Sequence, residues 1–327
     1  MKEDFQLLDF RKIFQEEPIR KGFGRGLLKL GQTNLNVVAC CADLTESTQI
    51  SLFAEAFPER FFEIGVAEQN LVTVGSGLAA GGKIPFVSSY AAFSPGRNYE
   101  QIRTTICLNN RPVKIVGSHS GISVGPDGAT HQMLEDIALM RVLPNMVVLA
   151  PGDSIEAEKC TLAMADDPRP NYMRLAREAT PIFTTENTPF EIGKAYNIEK
   201  GSDVTIISTG SMTFQALMTI DKLYKDGIDV EIIHMPTIKP LDSETILTSL
   251  RKTKACVTVE EAQINGGLGG AISEFLGENF PVPIVRLGIN DRFGESGNAN
   301  ELMHKFGLDA EHIRLAVHHV LSKKEKN

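Results

Sequence analysis

The sequence of 327 residues has no apolar run near the roughly 20 residues that a helix needs to cross a bilayer. It has no basic excess either: the net charge is −8, which disfavours capture of a nucleic-acid backbone. Its five cysteines are scattered without any Cys-x-x-Cys, which argues against a disulfide framework and a zinc site. The start of the sequence contains no uninterrupted apolar segment, so no signal peptide is predicted. We therefore expect a cytoplasmic protein that binds neither nucleic acid nor a membrane.

What the sequence does contain is a regular alternation of short apolar runs with longer helical patterns, in a length that suits about two domains. Short runs that are largely apolar and β-branched predict strands, buried on both faces in the first half, at 37–41, 85–88, 113–116, 146–149, 204–207, 230–233 and 257–259. Apolar spacing predicts helices at 67–80, 99–108, 132–142, 154–165 and 212–225. The pattern predicts an α/β protein with mainly parallel sheets flanked by helices.

Between 180 and 190 this pattern gives way to Thr, Pro, Asn and Glu, a composition typical of linkers. We expect a domain boundary there, which divides the chain into 1–185 and 190–327.

Glu68 is the first residue that the fold pattern alone does not explain. On a helix that starts near 66 it shares a face with Leu71, Val72 and Gly75, so its carboxyl group points to the interior. Burying an unpaired carboxylate costs several kcal/mol, so Glu68 needs either a proton or a partner. A structural ion pair and a functional carboxyl group both fit.

Tyr90 and Phe93 follow the predicted strand 85–88, at the strand end where ligands of open α/β sheets bind. They could stack on a planar ring of a ligand, or they could fill the core.

The segment 119–132 is a polar, glycine-rich loop that follows another predicted strand, and Thr130 could cap the helix after it. Its two histidines and Asp127 could orient a polyhydroxylated substrate and exchange protons with it. A metal site is the alternative, but the His-x7-Asp-x3-His spacing matches no common ligand set.

Arg20, Ser47, Arg174 and Arg177 lie at predicted element edges, where arginine can hold a phosphate with two parallel hydrogen bonds. Each could equally be an ordinary surface residue. The glycine-rich stretches 22–26 and 266–270 match neither a Walker A motif nor G-x-G-x-x-G, and the second, which opens a helix, indicates close packing rather than phosphate binding.

Taken together, the segment 65–70, the pair Tyr90 and Phe93, and the loop 119–131 resemble transketolase, specifically its pyrimidine-binding and C-terminal domains. The resemblance spans nearly the whole chain, because it continues in the family's order through 238–242, 259–261, 296–297 and 306–309.

The resemblance implies thiamine diphosphate as cofactor and gives roles to residues around it. Glu68 matches the catalytic glutamate that hydrogen-bonds the aminopyrimidine ring, and Tyr90 and Phe93 match the aromatic residues that stack on that ring. Asp43 matches an aspartate near the cofactor and the donor sugar. The segment after Phe93 is about one residue longer than the family's spacing, which leaves the place of Phe93 on the ring open.

The substrate residues are implied in the same way. Asp127 resembles the group that reads a sugar hydroxyl, and His131 resembles the catalytic histidine beside the reacting carbonyl. The positions that match the family's grip on the substrate phosphate are Arg20, Ser47, His119 and Arg177.

One family motif is missing: the sequence has no Gly-Asp-Gly, which in transketolases opens the segment that binds the diphosphate and a divalent metal. We expect a separate N-terminal subunit to supply that part and to hold Mg2+ (or Ca2+ or Mn2+), so that this chain itself binds no metal. The resemblance implies a two-plus-two heterotetramer acting on sugar phosphates, in which the C-terminal domain serves mainly in assembly.

Two related enzymes are rivals: the beta subunit of a 2-oxo-acid dehydrogenase decarboxylase component, and 1-deoxyxylulose-5-phosphate synthase. The first needs no sugar-phosphate grip, and the second is normally a single chain. A scaffolding subunit without chemistry is a third alternative, but Glu68 and the two loop histidines would then be expected to be lost.

Overall fold

The computed structural model describes residues 5–9 and 15–325, so the expectation about a signal peptide at the first residues lies outside the described range. The strands are β1 (Glu16–Pro18), β2 (Val37–Cys41), β3 (Phe61–Glu63), β4 (Ile84–Tyr90), β5 (Lys114–Ser118), β6 (Val147–Leu149), β7 (Asn171–Arg174), β8 (Ala179–Pro181), β9 (Tyr196–Glu199), β10 (Val204–Ser208), β11 (Val230–His234), β12 (Thr237–Lys239), β13 (Cys256–Gln263) and β14 (Ile284–Ile289). The helices are α1 (Ile19–Thr33), α2 (Ser51–Ala56), α3 (Glu68–Ala80), α4 (Tyr99–Gln101), α5 (Asp136–Val142), α6 (Ser154–Asp166), α7 (Met212–Leu217), α8 (Ile220–Lys225), α9 (Ser243–Thr253), α10 (Leu268–Asn279), α11 (Ala299–Lys305) and α12 (Ala310–Lys324). Short 3-10 turns lie at Pro58–Arg60 and Ile122–Asp127, and α4 continues as a π-helical segment, Ile102–Cys107.

The first sheet has the strand order β12-β6-β7-β5-β4-β2-β3, and every neighbouring pair except β12 and β6 is parallel. Helices cover both faces of this sheet, which is why most residues of its strands are apolar. Ala39 packs on one face with Phe23 of α1, whereas the next residue, Cys40, packs on the other face with Val72 of α3. All five cysteines of the chain are buried free thiols.

The second sheet has the order β14-β13-β10-β11-β9 and is parallel except between β11 and β9. It too is covered on both faces, because Ile206 and Ile207 of β10 point into two different apolar clusters. The predicted α/β class with mainly parallel sheets is therefore confirmed.

The seven predicted strands are present with shifts of a few residues at their ends, but two helix predictions are wrong in part. The helix predicted at 132–142 begins only at Asp136, and Thr130 does not cap it. The backbone before it closes the preceding loop instead, since Gly121 N–H donates to the carbonyl of Met133 (2.8 Å).

The helix predicted at 212–225 is two helices, α7 and α8. The break coincides with Thr219, whose hydroxyl bonds back to the carbonyl of Ala216 (2.6 Å). Tyr224, which would share one face with Leu217 and Ile220 on a single continuous helix, is 78 % exposed.

Both glycine-rich stretches are close-packing sites, which the sequence predicts only for 266–270. A side chain at Gly22 of α1 would overlap the carbonyl oxygen of Ser154 on α6, and one at Gly26 would lie 2.8 Å from Cβ of Thr161. At the start of α10 the backbone N–H groups of Leu268 and Gly269 donate to the protein's own Glu260 carboxylate (2.7 and 2.8 Å), which leaves no room for a phosphate. Among the residues described, no helix is long and apolar enough to cross a membrane.

Candidate active site

The predicted site residues come together at the carboxyl edge of the first sheet. β2, β3, β4, β5 and β7 run parallel and end at this edge, and the segment after each of them carries one or more of these residues. Two of them, Asp43 (φ 57°) and His119 (φ 55°), have left-handed backbone conformations, which are uncommon outside glycine and concentrate at functional sites.

Four aromatic rings form one cluster at this edge. Tyr90 stacks on His119 with ring centroids 3.8 Å apart, and Phe93 lies nearly parallel to Tyr90 at 6.0 Å. His131 stands edge-on to Phe93 at 5.4 Å and to Tyr90 at 6.3 Å. Tyr90, Phe93 and His131 are each only partly buried, so the cluster faces solvent rather than filling the core.

A pair of arginines adjoins this cluster. The guanidinium of Arg20 donates to the backbone carbonyl of Arg177, and that of Arg177 donates to the carbonyl of Val124 (3.0 Å) and to Glu178 (3.1 Å). Burial, together with the charges of Arg20 and Arg177, lowers the pKa of His119 to about 3. His119 is therefore neutral near pH 7, and the positive charge at this place comes from the arginines.

Glu68 is buried at the start of α3, as the helical spacing predicts, with 2 % of its surface exposed. Its partner is Arg97, whose guanidinium donates to Glu68 Oε2 at 2.7 Å and lies 4.8 Å from the centroid of the Phe93 ring. The side-chain amide of Asn98 donates to the Glu68 backbone carbonyl (2.8 Å). The helical spacing predicts that the buried Glu68 carboxyl group carries a proton or has a partner, and the structure shows a partner.

The Glu68 carboxylate borders an open recess of about 570 Å3, lined by 66–70, Thr73, Arg97 and Gln101. Gln101 Oε1 is buried and has no hydrogen-bond partner within the described part of the chain. The lining itself holds no aromatic ring, but Arg97 connects it to the ring of Phe93. The carboxylate and the unpaired amide oxygen are hydrogen-bond acceptors, which suit the N–H groups of a nitrogen-bearing ring such as the aminopyrimidine end of thiamine diphosphate.

Asp43 follows β2, whose neighbours in the sheet are β4, which ends at Tyr90, and β3, which precedes Glu68; it is exposed. Its position is fixed by Glu63, whose carboxylate accepts from the backbone N–H groups of Asp43 (2.7 Å) and Gly65 (2.9 Å) and from the Thr45 hydroxyl (3.0 Å). Sequence reasoning assigned no role to Glu63 or Arg97. Their positions in the sequence are the only signal: Glu63 is the last residue of β3, and Arg97 follows Phe93 by four residues.

The remaining predicted residues are Ser47, Asp127 and Arg174. Ser47 is half-buried in the turn after β2, and Asp127 is exposed on the loop after β5. Arg174 is not an anion site, because it is buried and paired with Asp136 at 3.0 Å and donates to the carbonyl of Glu261 (2.7 Å).

Among the described residues, one group of side chains is spaced closely enough to hold a metal ion, namely His304, Asp309 and His312. It lies in α11 and α12 and contains none of the residues predicted for the cofactor. Asp309 caps α12 and accepts from both imidazoles (2.6 and 2.8 Å), which explains the cluster without a metal.

An open α/β sheet with a buried carboxylate, stacked aromatics and a histidine loop at its carboxyl edge is the arrangement of a thiamine-type pyrimidine-binding domain. Two family models match the chain: Transketolase, pyrimidine binding domain, over residues 16–182, and Transketolase, C-terminal domain, over residues 193–313. The chain belongs to the transketolase family.

Two curated relatives match over almost their whole lengths. The "Putative transketolase C-terminal section" of Methanocaldococcus jannaschii is 47 % identical over 299 residues, which are 90 % of this chain and 93 % of that protein. The 6-deoxy-6-sulfo-D-fructose transketolase subunit SqwH of a Clostridium species is 39 % identical over 315 residues, 96 % of this chain and 98 % of that protein. A solved structure described as "Split gene transketolase, inactive beta4 tetramer" has a TM-score of 0.88 and 43 % identity, and the match covers 94 % of this chain and 99 % of that one.

Proposed function

We propose that this chain is the C-terminal subunit of a thiamine diphosphate-dependent transketolase, which moves a two-carbon ketol unit from a ketose phosphate to an aldose phosphate. The observation that supports this most is the buried Glu68 carboxylate, which borders an open recess. Its partner Arg97 packs on the ring of Phe93 and so links it to the aromatic cluster of Tyr90, Phe93, His119 and His131. A subunit that only supports assembly would gain nothing from a carboxylate at the edge of a recess.

When bound, thiamine diphosphate supplies a carbanion that cleaves and forms bonds next to a carbonyl group. Glu68 would hydrogen-bond the pyrimidine ring and hold or release a proton there, and Tyr90 and Phe93 would hold the ring by stacking. His131, at the rim of the cluster, would stabilise charge or move a proton at the substrate carbonyl. Asp43 would contact the cofactor and the donor sugar, and Asp127 would read a sugar hydroxyl.

The substrate's anionic end would be held by Arg20 and Arg177, with His119 and Ser47 as neutral hydrogen-bonding groups. The low pKa of His119, about 3, supports this division, because a neutral imidazole can donate or accept but adds no charge.

The metal and the diphosphate would be held by an N-terminal partner subunit that carries Gly-Asp-Gly, a motif this sequence lacks. The relatives described as a transketolase C-terminal section and as a split gene transketolase support a divided enzyme. We expect two copies of each subunit in one assembly and Mg2+ (or Ca2+ or Mn2+) in the partner. A cytoplasmic location stays an expectation from the sequence.

A sulfonated ketose is a second candidate donor, because one relative is described as a 6-deoxy-6-sulfo-D-fructose transketolase subunit. Two arginines can bind a sulfonate as they bind a phosphate, since both groups present several oxygens with negative charge.

The test is reconstitution of this chain with a subunit that carries Gly-Asp-Gly, in the presence of thiamine diphosphate and Mg2+. Ketose phosphates, a 6-deoxy-6-sulfo ketose and pyruvate are then compared as donors. Ketol transfer from a ketose to an aldose phosphate is expected. Exclusive use of pyruvate would instead support a decarboxylating relative, and turnover by this chain alone would contradict the divided enzyme.

Glu68→Gln in the reconstituted pair should lower kcat by at least about 100-fold, because proton transfer by a placed carboxyl group typically contributes that much. The control is Glu55→Gln, at an exposed glutamate of α2. The assignment of Glu68 fails if both variants keep full turnover while sedimentation shows intact assembly.

A further inference from the structure

The loop between β5 and α5 carries three of the proposed substrate residues, His119, Asp127 and His131, yet it is anchored by the second half of the chain. Glu261, at the end of β13 in the second sheet, is 3 % exposed and reaches across to this loop. We propose that Glu261 is a positioning residue for the substrate loop, so that the C-terminal domain sets the geometry with which the donor sugar is bound. The kinetic part of this proposal depends on the proposed function.

Glu261 holds the loop with one carboxylate oxygen and is itself held by the other. Oε1 accepts from the backbone N–H of Ser123 (2.7 Å), and Oε2 accepts from the hydroxyl of Ser211 (3.0 Å), a residue of the second half. The carboxylate thus ties the first turn of the loop to the turn that follows β10. A hydrogen bond to a charged acceptor is among the stronger ones in a protein, so this tie restricts the loop effectively.

The loop backbone is shaped to receive this carboxylate. Gly121 has φ of 90°, and any side chain at that place would overlap the Glu261 carboxylate. His119 and Ser123 lie two residues to either side, so a shift of the carboxylate would displace the residue that stacks on Tyr90.

A second contact from the same half holds the far end of the loop. The side-chain amide of Gln132, itself 3 % exposed, donates to the carbonyls of Ile122 (3.1 Å), Gly125 (3.2 Å) and Glu295 (2.9 Å). At Gly128 (φ 73°) the backbone approaches Ser296 so closely that a Cβ would lie 2.5 Å from its hydroxyl. Asp127 and His131 flank this contact.

The arrangement gives the C-terminal domain a part in substrate binding besides assembly. Glu261 contacts the backbone of the loop and acts on the proposed substrate residues only through it. It is therefore a positioning residue and not a catalytic residue. Its effect is expected in the affinity for the donor and in the order of the loop.

The test uses Glu261→Ala and Glu261→Gln in the full chain. Alanine removes both hydrogen bonds. Glutamine keeps them, since its carbonyl oxygen can accept from Ser123 N–H while its amide donates to the Ser211 hydroxyl. Glu261→Ala should raise the donor KM about tenfold, which corresponds to a loss of about 1.4 kcal/mol, with a smaller effect on kcat. Glu261→Gln should restore a KM within about twofold of the native value.

The second readout needs neither partner nor turnover. Amide hydrogen exchange in 119–131 of the isolated chain should become about tenfold faster in Glu261→Ala and stay native in Glu261→Gln. Ser211→Ala removes one anchor with less disturbance of packing, and it should change exchange in the same direction by a smaller factor.

Glu231→Ala is the matched control, because Glu231 is another buried carboxylate of the second sheet, bound by Ser249 and Lys252 and remote in contacts from the loop. It should lower stability but leave loop exchange and donor KM unchanged. Equal effects of Glu231→Ala and Glu261→Ala, or equal effects of Glu261→Gln and Glu261→Ala, would overturn the proposal. If the reconstituted pair shows no ketol transfer, the proposed function fails, and the exchange result still decides whether Glu261 positions the loop.

Discussion

His119 shows how neighbours decide what a residue can do. Burial and two nearby arginines lower its pKa to about 3, so the ring that stacks on Tyr90 stays uncharged across the physiological range. If His119 changed its charge near pH 6.5, the affinity of the proposed anion site for the substrate's anionic end would vary with small changes in pH. The site thus combines two permanent charges with a neutral hydrogen-bonding ring.

This low pKa predicts an acid-sensitive fold. In the unfolded chain His119 binds a proton below about pH 6.5, whereas in the folded chain it does so only below about pH 3. Protons therefore favour the unfolded state between these values, and stability falls as the pH drops through that window. Relative to His119→Gln, the native chain should lose about 2 kcal/mol more of its unfolding free energy between pH 7.5 and 4.5.

Urea unfolding of the isolated chain at the two pH values measures this difference. His319→Gln, at an exposed histidine of α12, is the control and should keep the native pH dependence. An identical pH dependence of His119→Gln and the native chain would show that His119 does not carry the effect.

The site could be predicted from sequence where one local pattern determined the answer. Helical spacing alone placed Glu68 in the interior, and strand ends placed Tyr90 and Phe93 at the functional edge. The Arg97 partner and the Glu261 anchor could not be found that way, because they lie 29 and 138 residues from the groups they bind. Contacts at such separations exist only once the sheets are assembled.

At the scale of elements, the close approach of α1 and α6 depends on glycine. A side chain at Gly22 would overlap the backbone of Ser154, whereas one at Gly77, on the exposed face of α3, would have nothing within 4 Å. Gly22→Ala should therefore destabilise the chain by about 2 kcal/mol through overpacking. Gly77→Ala should stabilise it by about 0.5–1 kcal/mol, because alanine favours the helix.

Urea or thermal unfolding of the two variants measures opposite shifts from the same substitution. Equal shifts would mean that helix propensity and not the helix contact dominates at Gly22.

The glycines of α1 also explain why the sequence does not predict this helix. Gly22, Gly24 and Gly26 lower helix propensity, and tertiary packing compensates for them: Gly22 and Gly26 pack against α6, and Gly24 packs against Gln49 and Leu52. Strands such as β2 were found because an all-apolar run suffices to indicate burial on both faces. The start of α5 was misplaced because residues before Asp136 are bound by the loop instead of the helix.

At the scale of the whole molecule, the two halves on either side of the proposed boundary between 185 and 190 are joined by more than the linker. β12 belongs to the second half but pairs antiparallel with β6 at the edge of the first sheet. His234 at the end of β11 binds Glu156 of α6 at 2.7 Å, and both side chains are essentially buried. A shared strand and a buried polar contact make separate unfolding of the halves unfavourable.

We therefore expect the chain to unfold in one cooperative transition, with agreement between the calorimetric and the van't Hoff enthalpy. His234→Leu should lower the unfolding free energy by about 3 kcal/mol, because it leaves the Glu156 carboxylate buried without this partner. The matched control is His318→Leu, which breaks an exposed contact of similar length between His318 and Asp226 (2.9 Å) and should cost far less, because water replaces the lost partner. Differential scanning calorimetry of the native chain and the two leucine variants measures the number of unfolding transitions and the loss of stability in each variant. Two separate transitions in the native chain would show that the halves are independent domains, and equal costs for the two leucine variants would show that the buried contact does not join them.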